Sequence, residues 1–231
     1  MKKNKKMFTM VGSLALVGAV AVGATLAYLS DNTGTIENKF TLGSDIEIKL
    51  DETDINNPTG PRTEKGNEYL DMQSGVPETK DPMTTVIANS NDCYVFMKVE
   101  GAQDFLNHDV DGDDQGDFEI NNWSEQWVKV LNTDGTNTDL TESKDGYYVY
   151  SGIVEESDED TALPKLFTEI MMSNDVKGFT EPAEGESLNP NDIKITSYAI
   201  QVAGFADNEE VYSQTEAVDA LNALLAQLPT A

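Results

Sequence analysis

Residues 93–99, CYVFMKV, decide the fold. Aromatic and β-branched side chains run through this stretch, and such residues suit a pleated, packed surface. Cys93, Val95, Met97 and Val99 share one face of the strand it predicts. Asn89-Ser90-Asn91-Asp92 supplies a turn immediately before it. Working outward, Tyr147–Val154 (YYVYSGIV) and Ile193–Phe205 (IKITSYAIQVAGF) have the same character. On the latter, Ile193, Ile195, Ser197, Ala199 and Gln201 fall on one face. Trp127-Val128-Lys129-Val130 is a shorter strand, and Thr84–Ala88 is another. Upstream, Phe40-Thr41-Leu42 leads to Ile46, Ile48 and Leu50, which alternate with Glu47 and Lys49. That period of two marks a half-buried strand.

The segments between these strands are polar and rich in turn residues. Residues 51–67 carry Asn57-Pro58, Gly60-Pro61 and Gly66 and read as loop. Residues 104–122, 132–146 and 173–192 are also polar. At the C-terminus, Ala217, Val218, Leu221, Leu224, Leu225 and Leu228 recur at helical spacing, so 215–228 is an amphipathic helix. Its polar face has no lysine or arginine, which disfavours a membrane surface and favours packing on the sheet. Short strands separated by turns, with no helical crossover, predict a mainly β chain: an antiparallel β-sandwich with long loops and one C-terminal amphipathic helix.

The N-terminus reads as an export signal. Residues 1–6, MKKNKK, hold four lysines, and 7–24 carry no charge before the chain turns polar. A basic start, an apolar core and a small-residue exit make a secretory signal peptide. An uncleaved anchor is the alternative reading, since the run is long enough to span a bilayer. Cutting after Ala24 or after Ala27 is sterically acceptable. Either cut leaves a signal peptide followed by one β-sandwich domain.

The whole chain has 42 acidic and 15 basic residues, a net charge of −27. Loss of the four lysines leaves 11 basic residues and a charge of −31 from Tyr28 onward. Such a surface argues against nucleic acid and anionic lipid as partners, and confines membrane contact to the uncleaved signal peptide. Cys93 is the only cysteine, so no internal disulfide can form. It reads as a small buried core residue.

The acidic stretch 109–122, DVDGDDQGDFEINN, is the strongest candidate for metal chemistry. Asp111, Asp113, Gln115, Asp117 and Glu119 stand at alternate positions of a calcium loop, with Gly116 where such loops turn sharply. Calcium requires hard oxygens at that spacing. Gln115 and Asn122 depart from the usual ligands, and a solvated acidic loop is the competing reading. Catalysis is not expected. There is one histidine, His108, and no H-E-x-x-H or G-x-S-x-G pattern. Trp123 and Trp127, four residues apart, either form a sugar-stacking platform or cover a core edge.

Residues 23–43, GATLAYLSDNTGTIENKFTLG, resemble the N-terminal signature of the TasA/camelysin family of exported Gram-positive proteins. The resemblance rests on Gly23, Thr25, Ala27, Tyr28, Ser30, Asp31, Asn38, Phe40 and Gly43. Lys80-Asp81-Pro82, residues 91–99, Leu166-Phe167-Thr168 and Tyr198-Ala199-Ile200-Gln201 resemble landmarks of a clostridial branch. The resemblance implies cleavage between Ala27 and Tyr28 by a signal peptidase of the SipW type, with Thr25 in the recognition segment, and so a signal peptide, 1–27, and one β-sandwich domain, 28–231. It also implies a jelly-roll-like sandwich, secreted or associated with the cell surface, of the kind found in biofilm matrix. Some such proteins build fibres by donating an N-terminal strand, and Tyr28–Leu42 is the segment that would donate. Three functions follow in order: a matrix protein that self-assembles into fibres, a monomeric surface binding module with a calcium loop, and a camelysin-like peptidase.

Overall fold

The computed structural model describes residues 30–32, 46–136, 140, 142–176, 178, 189–205 and 211–226. The expected signal peptide, with Thr25 and Ala27, and Tyr28 just after the cut lie outside the described residues. Among the described residues, eleven strands run in chain order: β1 (Ser30–Asn32), β2 (Ile48–Asp51), β3 (Pro77–Thr79), β4 (Met83–Val86), β5 (Cys93–Glu100), β6 (Phe118–Asn121), β7 (Trp127–Leu131), β8 (Gly146–Tyr150), β9 (Thr161–Ala162), β10 (Glu169–Met172) and β11 (Lys194–Gln201). Helix α1 (Ala102–Leu106) follows β5, and helix α2 (Gln214–Leu225) ends the described chain.

The strand read at Cys93–Val99 is the middle of a five-stranded sheet ordered β1-β11-β5-β8-β7. All eight residues of β5 pair antiparallel with β11, from Cys93 opposite Gln201 to Glu100 opposite Lys194. Three-stranded sheets β2-β4-β9 and β3-β10-β6 complete the fold, and every pairing between strands is antiparallel. The molecule is therefore mainly β and layered as a sandwich, with α2 on the outside of the large sheet.

Side-chain alternation on β5 divides the core into two. Cys93, Val95, Met97 and Val99 point to one side with Ala199 and Tyr148. There they meet Ile48 and Val86 of one small sheet and Phe118, Ile120, Ile170 and Met172 of the other. Thr84 and Ser197, both fully buried, join the layers through a 2.6 Å hydroxyl–hydroxyl hydrogen bond. Tyr94 and Phe96 point to the opposite side, with Val149, Tyr198, Ile200 and Val202. That face is covered by Ala217, Ala220, Leu221 and Leu224 of α2. Burying each large side chain is worth roughly 1.5–3 kcal/mol, so a strand buried on both faces is the main anchor of the fold. Helix α2 begins at Ser213, whose hydroxyl accepts the Glu216 N–H.

Several sequence expectations change. Residues 104–122, read only as polar, hold the end of α1 and all of β6. β6 offers only Phe118 and Ile120 as an alternating pair, too short a pattern to stand out from its acidic surroundings. The Tyr147–Val154 strand stops at Tyr150 because Ser151-Gly152 bends away; Val154 then returns to bridge Cys93. The Ile193–Phe205 strand stops at Gln201, where the chain turns. Among the described residues, no helix is long and apolar enough to cross a membrane.

Candidate functional site

Three places gather chemistry. The first is the edge of the large sheet. Ser30, Asp31 and Asn32 pair with Ile200, Ala199 and Tyr198 of β11. This short N-terminal strand thus forms the outermost strand beside β11, within the same chain.

The second is the acidic loop between α1 and β6. The oxygens of Asp109, Asp111 and Asp117 lie within 4.8 Å of one another. Of the five ligands expected from sequence, Asp111 and Asp117 are in this group. Asp113 and Gln115 are exposed and bonded to each other, with the Gln115 N–H donating to Asp113 at 3.0 Å. Glu119 lies on β6 opposite Met171 and accepts from the Asn121 amide at 3.3 Å. Asp109, which the spacing argument passed over, takes their place. Its carboxylate accepts the N–H groups of Asp111, Gly112 and Asp114 at 3.1, 2.6 and 2.9 Å. These bonds, the Gly112 N–H foremost, hold its carboxyl below the usual carboxylate range. Asp117 is buried and accepts the N–H groups of Val110 and Asp111 at 2.7 and 3.2 Å.

The turn residues also differ from expectation. The left-handed positions are Gly112 and Asp114, at φ 80° and 65°. Gly116 is needed for a different reason: a Cβ there would stand 1.9 Å from the Leu106 carbonyl oxygen. The donor set is three hard carboxylates, which fits calcium or magnesium and not zinc.

The third place was not singled out by the sequence beyond its Lys80-Asp81-Pro82 landmark. Loop 52–76 is fastened to the β3–β4 junction by ion pairs. The Arg62 guanidinium reaches both the Asp51 carboxylate, in a short contact, and Asp81 at 3.0 Å. It also donates to the backbone carbonyls of Asp51 and Asp81 at 3.1 and 2.7 Å. Asp81, 1% exposed, accepts further from the Thr53 N–H at 2.7 Å and from the Lys165 ammonium at 2.7 Å. Burial alone would raise its pKa. Lys165, the Thr53 N–H and Arg62 outweigh burial and hold it at about 2. Beside this pair, Lys80 donates to Glu52 Oε2 at 3.1 Å, and Asn67 Nδ2 donates to Glu52 Oε1 at 2.9 Å. Nothing local in the sequence brings residues 51, 62, 81 and 165 together, so no spacing rule finds them.

The remaining candidates take structural positions. Trp127 is buried, and its indole N–H donates to the Pro164 carbonyl at 2.8 Å. Trp123 stacks on Tyr148 at 5.5 Å and leans on Phe167, with the Lys144 ammonium over its ring. The two indoles therefore do not form a shared sugar platform. Cys93 is fully buried; burial and the Asp92 charge push its thiol up to about 12, which suppresses the thiolate. His108 lies beside the Phe118 ring. Compared with family models, curated proteins and solved structures, the chain matches none.

Proposed function

We propose that this is a secreted structural protein of the extracellular matrix or cell surface, not an enzyme, that self-associates by exchanging its N-terminal strand. One observation carries the reading: the pairing of Ser30–Asn32 with β11 at the sheet edge. A sheet edge is a template that accepts the same strand from its own chain or from a neighbour. Exchange keeps the same backbone hydrogen bonds and so costs little beyond association. The strand also begins three residues after the expected cut at Ala27, so processing would free its leading end.

The test is size-exclusion of the processed protein with and without residues 28–42, after mass spectrometry has located its N-terminus. The reading expects a chain beginning at Tyr28 whose large assemblies disappear on truncation. A chain that stays monomeric in both forms overturns it.

A second reading is favoured by the convergence of Asp109, Asp111 and Asp117. In it the protein is a surface binding module whose acidic loop takes calcium, with the affinity in the weak range of extracellular modules.

A further inference from the structure

Glu52, Lys80 and Asn67 form an arrangement that goes beyond ion pairing and beyond the self-association reading. Both oxygens of one buried carboxylate are engaged by two different nitrogens. Lys80 Nζ, an amine, is 3.1 Å from Oε2. Asn67 Nδ2, the nitrogen of a carboxamide, is 2.9 Å from Oε1. Glu52 is 5% exposed and Lys80 9%, so little water competes at the site. The Tyr69 ring forms one wall, 5.7 Å from Lys80 Nζ, and is itself fixed by its hydroxyl donating to the Thr79 carbonyl at 2.8 Å. The Asn67 side chain is held at both ends. Its Oδ1 accepts the Ile55 N–H at 3.0 Å, and its Nδ2 donates also to the Thr53 carbonyl at 2.8 Å.

We propose that Lys80 and Asn67 react to form an intramolecular isopeptide bond, with Glu52 as the catalytic residue that carries the protons. Each role has its atom. The Lys80 ammonium gives a proton to Glu52 Oε2, its hydrogen-bond partner at 3.1 Å. The amine then attacks Asn67 Cγ, forming the Nζ–Cγ bond while the carbonyl electrons move onto Oδ1. The Ile55 N–H lies where it stabilises that oxyanion. Glu52 passes its proton to Asn67 Nδ2, the Cγ–Nδ2 bond breaks, and ammonia leaves. The proton remaining on Nζ returns through Glu52 to the departing ammonia. One ammonium side chain and one carboxamide become one secondary amide and one ammonium ion, with no oxidant or reductant. Holding nucleophile and electrophile on one acid–base group supplies the proximity that makes amide exchange feasible without a cofactor.

The bond would tie loop 52–76 to the end of β3 in a chain whose single cysteine allows no internal disulfide. The full chain, purified and denatured, is digested with trypsin and read by mass spectrometry. An acylated Lys80 is not cut, so the expected product is one peptide spanning 66–98 and lighter than its sequence by one ammonia. Further cleavage at Glu68 or Glu78 should leave the Asn67 and Lys80 pieces joined. Glu52→Gln and Lys80→Arg should each restore the unmodified sequence mass, and Glu52→Gln should restore cutting at Lys80. Free peptides 66–80 and 81–98 at full mass from the wild-type chain overturn the proposal. So does an ammonia loss that persists in Lys80→Arg, which marks a succinimide at Asn67. The wild-type digest decides the matter even where a variant fails to fold.

Discussion

The segment 51–81 and the loop at 109–117 solve the same problem in opposite ways. Both bring carboxylates together in a chain with 42 acidic and 15 basic residues. In the first, Asp51, Glu52 and Asp81 are answered by Arg62, Lys80, Lys165 and Lys49. In the second, Asp109 and Asp117 are answered by backbone N–H groups of their own loop. Scarce cations are concentrated where carboxylates are buried and the chain must be pinned across sequence distance. Where the carboxylates cap a local turn, peptide dipoles suffice. A dense acidic motif therefore advertises itself in sequence while doing mainly local work, and a sparse one at 51–81 fastens the fold.

Three changes would break or sharpen that contrast. Asp81→Ala should have the largest effect, because it strips Arg62 and Lys165 of a buried partner and the Thr53 N–H of its acceptor. Losing one member of such a cluster costs about 3 kcal/mol, measured by urea denaturation. Acid titrates the same contact. The folded pKa of Asp81, about 2, lies below its ordinary 3.8. Its stabilisation is therefore complete above about pH 4 and is lost as pH falls toward 2, amounting to roughly 2 kcal/mol. Thermal unfolding of wild type and Asp81→Asn along that pH range checks it: the wild type should lose this increment and the variant should lack it. Calcium is the smallest lever. With a millimolar dissociation constant, a tenfold excess would add about 1.4 kcal/mol. A rise in melting temperature that disappears in Asp109→Asn would give the acidic loop a role the cation-rich loop cannot share. An unchanged melting temperature and no heat in calorimetry would leave it as a turn.

The legible parts of the fold were those whose signal is local. Ile48 and Leu50, the Cys93–Val99 alternation, the Ile195–Ala199 face and the Ala217–Leu224 stripe each announce their element within one short window. The acidic loop was legible only in part. Alternate spacing selected Asp111 and Asp117 but also Asp113, Gln115 and Glu119, whereas Gly112 and Asp114 turn the backbone so that Asp109 converges instead. β6 escaped because two apolar residues are too few to establish a period.

By itself the sequence determined the mainly β class, the central strand, the burial of Cys93, the terminal helix and its packing against the sheet. These follow from periodicity and side-chain shape, which act over a few residues. Only the tertiary structure decided that Tyr94 and Phe96 are as buried as their neighbours, that Arg62 joins Asp51 to Asp81, and that Lys80 and Asn67 meet on Glu52. Such meetings depend on which distant segments the packed layers bring together, and that choice is made by burial summed over the whole core.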